Sequence, residues 1–146
     1  MSAAQIESFF PDLRASGYRI TSPAAPNYNC FAWAGEDTRN WWQPLALSGY
    51  YWPAEIPSKL TLENLVAVYE RLGYGPCDSA EFEASFEKIA VYVDPDGTPT
   101  HAARQTQAGA WTSKLGELED VEHPTLASLE SFYGKVRQVL KRPRWV

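Results

Sequence analysis

The chain has 146 residues, of which 45% are hydrophobic and 14% aromatic, and its formal net charge is −5. This length and composition predict one globular domain over residues 1–146, and the acidic balance argues against a nucleic-acid partner, which normally needs a basic stripe. No apolar run approaches the roughly 18 residues of a membrane span, and the first residues lack the basic start and apolar core of a signal peptide. We therefore expect a cytoplasmic protein that does not bind membranes and keeps its cysteines reduced.

Short helices and one brief strand are predicted in the first part of the chain. Apolar residues at helical spacing predict a helix over residues 3–13 that is halted near Pro11, and residues 18–20 predict a strand. A second helix is predicted to begin at Cys30 and to end near Gly35. This part of the chain therefore places a cysteine at the first residue of a helix.

The middle of the chain predicts a long structured loop followed by a helix. Residues 37–59 are rich in Trp, Tyr, Pro and Gly, and loops of this length inside a domain are often functional. Apolar residues at helical spacing then predict a helix that follows an N-cap at Thr61 and stops at Gly73.

The second half of the chain predicts an antiparallel meander. One short helix is predicted over residues 125–132, and strands are predicted over residues 88–93, 101–106, 111–115 and 135–140. A solvated turn is predicted for the acidic residues Glu117, Glu119, Asp120 and Glu122. Helices followed by an antiparallel meander give an α+β pattern.

One cysteine and one histidine stand at the starts of predicted elements. Cys30 opens a helix, where the helix dipole and unpaired N–H groups favour the thiolate. His101 opens a strand, which would hold its imidazole rigidly near a nucleophile from elsewhere in the fold. This order suggests thiol catalysis, whereas the alternatives are a small buried hydrophobic residue at Cys30 and an imidazole at His101 that pairs with a backbone carbonyl.

The remaining cysteine and histidine have simpler interpretations. Cys77 is expected in a loop with a structural role, and His123, which precedes Pro124, is expected at a turn or helix entry. The spacing of the cysteines and histidines contains neither a CxxC nor an HxxxH pair. The sequence therefore predicts no zinc site or other metal site.

The layout of these elements resembles that of the papain-like cysteine hydrolases, in particular the NlpC-type branch of bacterial amidases and endopeptidases. The matching segments are Tyr28-Asn29-Cys30-Phe31-Ala32 at the helix start and His101-Ala102-Ala103-Arg104 at the strand start. The chain also resembles, over roughly residues 25–142, a family of small bacterial proteins with the motifs Asn-Cys-x-Ala-Trp, Glu-Lys-Ile-Ala, His-Ala-Ala-Arg-Gln and Trp-Thr-Ser-Lys-Leu-Gly, which brings no established activity. The first resemblance implies a papain-like domain with N-terminal helices packed on an antiparallel β-meander.

The resemblance to the enzyme branch also implies a reaction. Cys30 would attack an amide carbonyl of a peptide or protein substrate, and His101 would hold the thiol proton and then give it to the leaving amine. An acyl-enzyme forms by this route without any cofactor. A polar residue on the following strand would orient the imidazole, and the candidates are Thr112, Ser113 and Lys114, with Gln105 a weaker choice.

The resemblance further implies an oxyanion site and a substrate groove. The backbone N–H of Cys30, together with an amide from Asn27 or Asn29, would bind the developing oxyanion. Some of the clustered aromatic residues would line the groove beside the thiol, and the candidates are Trp33, Trp41 and Trp42.

The chain departs from the enzyme branch at the motif itself. That branch usually carries Asp before the cysteine and Ser-Gly after it, where this chain has Asn29 and Phe31-Ala32. A second function therefore stays open. It is a catalytically inactive binding or regulatory module on the same fold, for example a toxin or immunity partner, with the Trp/Tyr-rich loop as its contact surface.

Overall fold

The structure, a computed structural model, describes residues 3–45 and 47–144. Within these residues the α-helices are α1 (Ala3–Phe9), α2 (Pro11–Ser16), α3 (Cys30–Ala34), α4 (Leu62–Glu70) and α5 (Glu130–Tyr133), and a 3-10 helix spans Leu126–Leu129. The strands are β1 (Arg19–Ser22), β2 (Trp41–Trp42), β3 (Tyr50–Tyr51), β4 (Gly75–Cys77), β5 (Phe86–Val93), β6 (Pro99–Gln105), β7 (Trp111–Lys114), β8 (Asp120–His123) and β9 (Lys135–Pro143).

Seven of these strands form one antiparallel sheet in the order β1-β8-β7-β6-β5-β9-β4. Strands β5 to β8 follow one another as a meander, and β9 lies between β5 and β4. Strands β2 and β3 form a separate parallel ribbon. The predicted α+β class with an antiparallel meander is therefore confirmed.

The two faces of the sheet each carry a hydrophobic cluster, because neighbouring side chains on a strand point to opposite faces. The first face, called the α3 face below, contributes Ile89, Val91 and Ala102 to a cluster with residues of α3 and α4. The second, called the α1 face, contributes Ala90, Tyr92 and Ala103 to a cluster with residues of α1, α2 and the 3-10 helix. The sheet is therefore covered on both sides.

The helix predicted over residues 3–13 is two helices in the structure. Phe10 has non-helical backbone angles (φ −128°, ψ 70°), and Pro11 is the first residue of α2. Proline lacks the N–H that would continue the preceding helix, but it fits the first helical turn, where that N–H has no partner.

Two strands of the sheet are absent from the sequence prediction. Strand β4 includes Cys77, which was expected in a loop, and β8 ends at His123, which was expected at a turn. The prediction of a solvated turn is wrong for Glu119 and Asp120, which are buried. Asp120 has no exposed surface and accepts a hydrogen bond from the Tyr28 hydroxyl at 3.0 Å.

Lys114 is buried at the end of β7 and shapes the turn that follows it. Its Nζ donates to the carbonyls of Gly116 at 2.6 Å and Leu118 at 2.5 Å, and lies 5.1 Å from the centre of the Tyr28 ring. Burial lowers the pKa of this ammonium, and the nearby Asp120 opposes that shift. The turn between β7 and β8 therefore surrounds the Lys114 ammonium, and its carbonyls supply the hydrogen bonds that a buried charge requires.

Lys88 holds the segment ahead of β5 in a similar way. Its Nζ donates to the carbonyls of Ser79 at 2.8 Å and Glu81 at 2.7 Å, and pairs with a carboxylate oxygen of Glu83 at 2.7 Å. No part of the Lys88 side chain is exposed. Both lysines therefore act as internal anchors for loops.

Candidate functional site

Cys30 is the first residue of α3, as the sequence predicts, and Asn29 is the N-cap. The Oδ1 of Asn29 accepts a hydrogen bond from the backbone N–H of Ala32 at 3.1 Å. The thiol is buried in the cluster of the α3 face. Burial raises its pKa to about 12, although hydrogen bonding from the Ala102 backbone N–H acts in the opposite direction. This environment favours the neutral thiol over the thiolate nucleophile.

His101 is buried on the α1 face of the sheet. It lies opposite Tyr92 in the pairing of β5 and β6, and its ring stacks on Tyr133 with a centroid distance of 4.0 Å and an interplanar angle of 8°. Within the described part of the chain neither ring nitrogen has a hydrogen-bond partner. Burial, with a smaller contribution from His123, lowers the pKa of the imidazole well below its usual value.

The structure does not bring Cys30 and His101 together. Ala102 packs in the cluster that contains the thiol, and His101 is the preceding residue of the same strand, so its ring points to the other face. The sheet therefore separates the thiol from the imidazole. General-base catalysis requires the base within hydrogen-bond reach of the proton that it takes, and this arrangement does not provide that geometry.

The residues considered for orienting His101 have other partners. The Thr112 hydroxyl accepts a hydrogen bond from Trp33 Nε1 at 3.3 Å on the α3 face. The Gln105 side chain donates to the Ala80 carbonyl at 3.3 Å. Lys114 is engaged by the carbonyls of its own turn, as described above. None of these contacts involves the His101 ring.

Ser113, the remaining candidate, pairs with His123 instead. Its Oγ lies 2.8 Å from His123 Nε2, and His123 Nδ1 lies 2.8 Å from the Thr125 carbonyl. Because a carbonyl only accepts, Nδ1 carries the proton and the Ser113 hydroxyl donates to Nε2. Both side chains are buried, so the pair joins β7 to β8 and offers no nucleophile to solvent. Sequence reasoning missed it because β8 was not predicted.

Asn29 ties the aromatic loop to α3. Besides capping the helix, its Oδ1 accepts from the Trp42 backbone N–H at 3.2 Å, and its Nδ2 donates to the Trp42 carbonyl at 2.9 Å. The Trp42 indole donates to Asp37 at 2.7 Å. An aspartate, the usual residue of the enzyme branch, has no donor for the Trp42 carbonyl. The departure from that motif therefore has a structural role.

Trp33 anchors α3 on the sheet. The Arg104 guanidinium lies 4.7 Å from the centre of its ring, and the Tyr28 ring lies 5.9 Å away on centroids. With the hydrogen bond to Thr112, these contacts fix a half-buried indole between the helix and strands β6 and β7. Trp33 is therefore a packing residue in this structure.

The β2–β3 ribbon divides its aromatic residues between two sides. Trp41 pairs with Tyr50, and Trp42 pairs with Tyr51. Trp42 is buried in the cluster of the α3 face, and its ring lies 5.4 Å from that of Tyr51. Trp41 and Tyr50 line a surface cleft. Of the three tryptophans predicted to line a groove, Trp41 is the one that lines this cleft.

The cleft has a volume of about 380 Å³ and is formed by three separate segments. Asn27 comes from the loop ahead of α3, Glu117 from the turn wrapped around Lys114, and the ribbon and its flanks contribute Arg39, Trp41, Gln43, Ser48 and Tyr50. This volume lies within the range of roughly 300–1,000 Å³ typical of small-molecule sites. Asn27, predicted as an oxyanion donor, donates to the Thr38 carbonyl at 2.8 Å and lies at the rim of this cleft.

Within residues 3–45 and 47–144, no three His, Cys, Asp or Glu side chains come close enough together to hold a metal ion. No helix in the same ranges combines the length and apolar character needed to cross a bilayer.

Comparison with known families gives one assignment. A family model described as a domain of unknown function (DUF7689) matches residues 19–141. The chain belongs to this family. The matched segment of this DUF7689 protein runs from β1 into β9, so it contains Cys30, the aromatic loop and the cleft, and it leaves out α1 and α2. No curated protein and no solved structure matches the sequence.

Proposed function

We propose that this DUF7689 protein is a binding module that contacts a protein partner through its Trp/Tyr-rich loop, without using Cys30 as a nucleophile. The observation that carries this proposal is the contrast between the buried thiol of Cys30 and the exposed residues of the Trp/Tyr-rich loop. The thiol is buried in the α3-face cluster, whereas Leu45 and Leu47 of the loop are 48% and 62% exposed.

The loop has the features of a contact surface. Tyr51, on the same loop as the two leucines, is 36% exposed, and grouped exposed apolar side chains mark interaction sites. The hydrogen bonds of Asn29 and Asp37 to Trp42 hold the base of this loop. A surface ordered before binding loses less conformational entropy when the complex forms.

The alternative function, a thiol hydrolase that cleaves an amide bond through Cys30 and His101, stays a prediction. One observation favours it, which is the position of Cys30 at the first residue of a helix that packs on the sheet. The opposite faces of the two side chains and the raised thiol pKa weigh against it. The papain-like form of the α+β fold and the peptide substrate also stay predictions.

The cytoplasm is the compartment that we propose for this module. Both cysteines are free thiols, and they lie apart, Cys30 in the cluster of the α3 face and Cys77 against that of the α1 face. Free thiols are the usual state in a reducing compartment.

Position-specific photo-crosslinking tests the binding function. A photoreactive phenylalanine analogue replaces Leu47 or Tyr51 in the loop, and a matched control replaces the exposed Phe132, which lies in α5. In cells that produce the protein naturally, we expect the same discrete adduct from both loop positions and none from Phe132. The purified partner must then bind the wild type and bind Leu47→Asp at least several-fold more weakly. Adducts that are equally strong from Phe132, or absent from the loop, contradict the proposal.

A further inference from the structure

We propose that the cleft walled by Asn27, Arg39, Trp41, Gln43, Tyr50 and Glu117 is a binding site for a neutral saccharide. This site does not depend on the protein partner proposed above, because it uses the Trp41 and Tyr50 side of the ribbon and the β7–β8 turn. The aromatic, polar and charged side chains that line the cleft together suit this class of ligand.

The aromatic rings supply flat apolar surfaces. Trp41 and Tyr50 are backbone partners in the parallel ribbon, and both line the cleft. Within the described residues neither ring contacts another aromatic ring or a cation, whereas Trp42 on the other side packs against Tyr51 and Tyr69. A free pair of aromatic faces suits the C–H face of a sugar ring, which is flat and apolar while its rim is hydroxylated.

The polar side chains around these rings have spare hydrogen-bonding capacity. In the described part of the chain, the side chains of Arg39, Gln43 and Ser48 make no hydrogen bond or ion pair. Asn27 uses its Nδ2 for the Thr38 carbonyl, which leaves Oδ1 to accept. Amide and hydroxyl groups both donate and accept, and so does each sugar hydroxyl. The cleft therefore offers mixed donors and acceptors rather than one kind.

The charges in the cleft balance. Arg39 and Glu117 come from different segments and form no ion pair with each other or with other described residues, yet both line the same cleft. One positive and one negative group leave the lining of the cleft without net charge. Charged donors and acceptors make stronger hydrogen bonds than neutral ones, so both can serve hydroxyl groups. This balance favours an uncharged, hydroxyl-rich ligand.

Nuclear magnetic resonance of the tryptophan indole N–H groups tests the site. The probes are cellobiose, maltose and di-N-acetylchitobiose, taken to about 20 mM because weak sites of this size are expected in the millimolar range, with triglycine amide as the peptide comparison. The Trp41 signal is identified by its loss in Trp41→Phe. We expect a saturable shift of the Trp41 signal with at least one disaccharide, while the Trp111 signal stays in place.

Variants of two cleft-lining side chains connect that shift to the cleft. Arg39→Ala and Gln43→Ala remove groups that have no internal partner, so folding is preserved, and we expect binding to weaken about tenfold for Arg39→Ala. Arg137→Ala, another exposed arginine away from the cleft, should bind like the wild type. Three results overturn the inference: no Trp41 shift with any disaccharide, an equal shift with triglycine amide, or unchanged binding in both cleft variants. Crosslinking from Leu47 and Tyr51 reports on the protein partner independently of these outcomes.

Discussion

The two faces of the central sheet hold the cysteine and the histidine in different surroundings. On the α3 face, Cys30 packs among aliphatic and aromatic side chains beneath α3. On the α1 face, His101 stacks on Tyr133 with neither nitrogen hydrogen-bonded among the described residues. Cys30 lies at the first residue of α3, as the predicted catalytic layout requires, whereas His101 is the third residue of β6 rather than the first. The direction of its side chain on that strand also decides whether the pair can form.

Each face of the sheet also contains a hydrogen-bonded pair of polar side chains. On the α3 face, the Tyr28 hydroxyl donates to Asp120 at 3.0 Å close to the segments that form the cleft. On the α1 face, Ser113 and His123 are sealed between strands and helices. Both pairs are buried, and they differ in that Tyr28 follows Asn27, which lines the surface cleft.

The largest expected effect comes from removing the aromatic anchor of the α3 face. Trp42→Ala should lower the free energy of unfolding by about 3–5 kcal/mol, because a large buried ring leaves a cavity. Trp41→Ala, at the neighbouring position on the cleft side, should change it by less than about 1 kcal/mol. Denaturant unfolding measures both values. Equal losses would show that the two sides of the ribbon do not differ as described.

The hydrogen bonds of Asn29 should give the next largest effect. Asn29→Ala removes the helix cap and both contacts to the Trp42 backbone, so we expect a loss of about 2 kcal/mol in the free energy of unfolding. Asn27→Ala is the matched control, since it loses a single hydrogen bond at an exposed position. If the two variants unfold at the same denaturant concentration, Asn29 does not hold the loop.

The histidines of the α1 face should make stability depend on pH. Burial lowers the pKa of both His101 and His123 in the folded protein, so the unfolded chain binds protons more readily. The stabilising contribution is complete above the unfolded value of about 6.5 and is lost as the pH falls below it, by up to about 1.4 kcal/mol per pH unit for each group.

His101→Phe isolates the contribution of one ring. It keeps the stacking on Tyr133 and removes nitrogens that have no hydrogen bond among the described residues, so the decline in stability between pH 6.5 and pH 5 should become shallower. Thermal or denaturant unfolding across that range measures the slope. A slope unchanged by this substitution would place His101 in a solvated or paired environment instead.

The smallest effect is expected for the thiol itself. With iodoacetamide at neutral pH, the partly exposed Cys77 should be labelled about tenfold or more faster than the buried Cys30. The same His101→Phe substitution should leave the Cys30 rate unchanged, because the sheet lies between the two side chains. Fast labelling of Cys30 well below pH 8.5 that disappears in this variant would instead establish the catalytic pair.

Local signals in the sequence predicted the start of α3 and the capped helix α4. Asn29 and Thr61 each accept a hydrogen bond from a backbone N–H three residues ahead, as expected of N-caps. Strands β5, β6 and β7 also overlap predicted segments, although β5 and β6 begin before the predicted residues 88 and 101. Capping and turn chemistry depend on neighbours in the chain, so these features are readable without the fold.

Local sequence signals did not predict how the site residues are arranged in space. Strand β6 is buried on both sides and carries alanines on both, so no alternation of polar and apolar residues indicates which way His101 points. Strand β8 is acidic in sequence, and Asp120 becomes buried only because Tyr28 and Lys114 approach it from distant positions. The direction of the His101 side chain and the burial of Asp120 both depend on contacts with residues that are distant in the sequence.

The turn wrapped around Lys114 gives the molecule an internal reporter for proteolysis. Trypsin needs the lysine side chain in its specificity pocket, and that of Lys114 is buried while its ammonium is held by the carbonyls of Gly116 and Leu118. Cleavage after this residue therefore requires the turn that carries Glu117 to unwrap. The rate of cleavage after Lys114 measures local opening of the cleft wall. Comparison with the rate after the similarly enclosed Lys88 separates this local opening from opening elsewhere in the molecule.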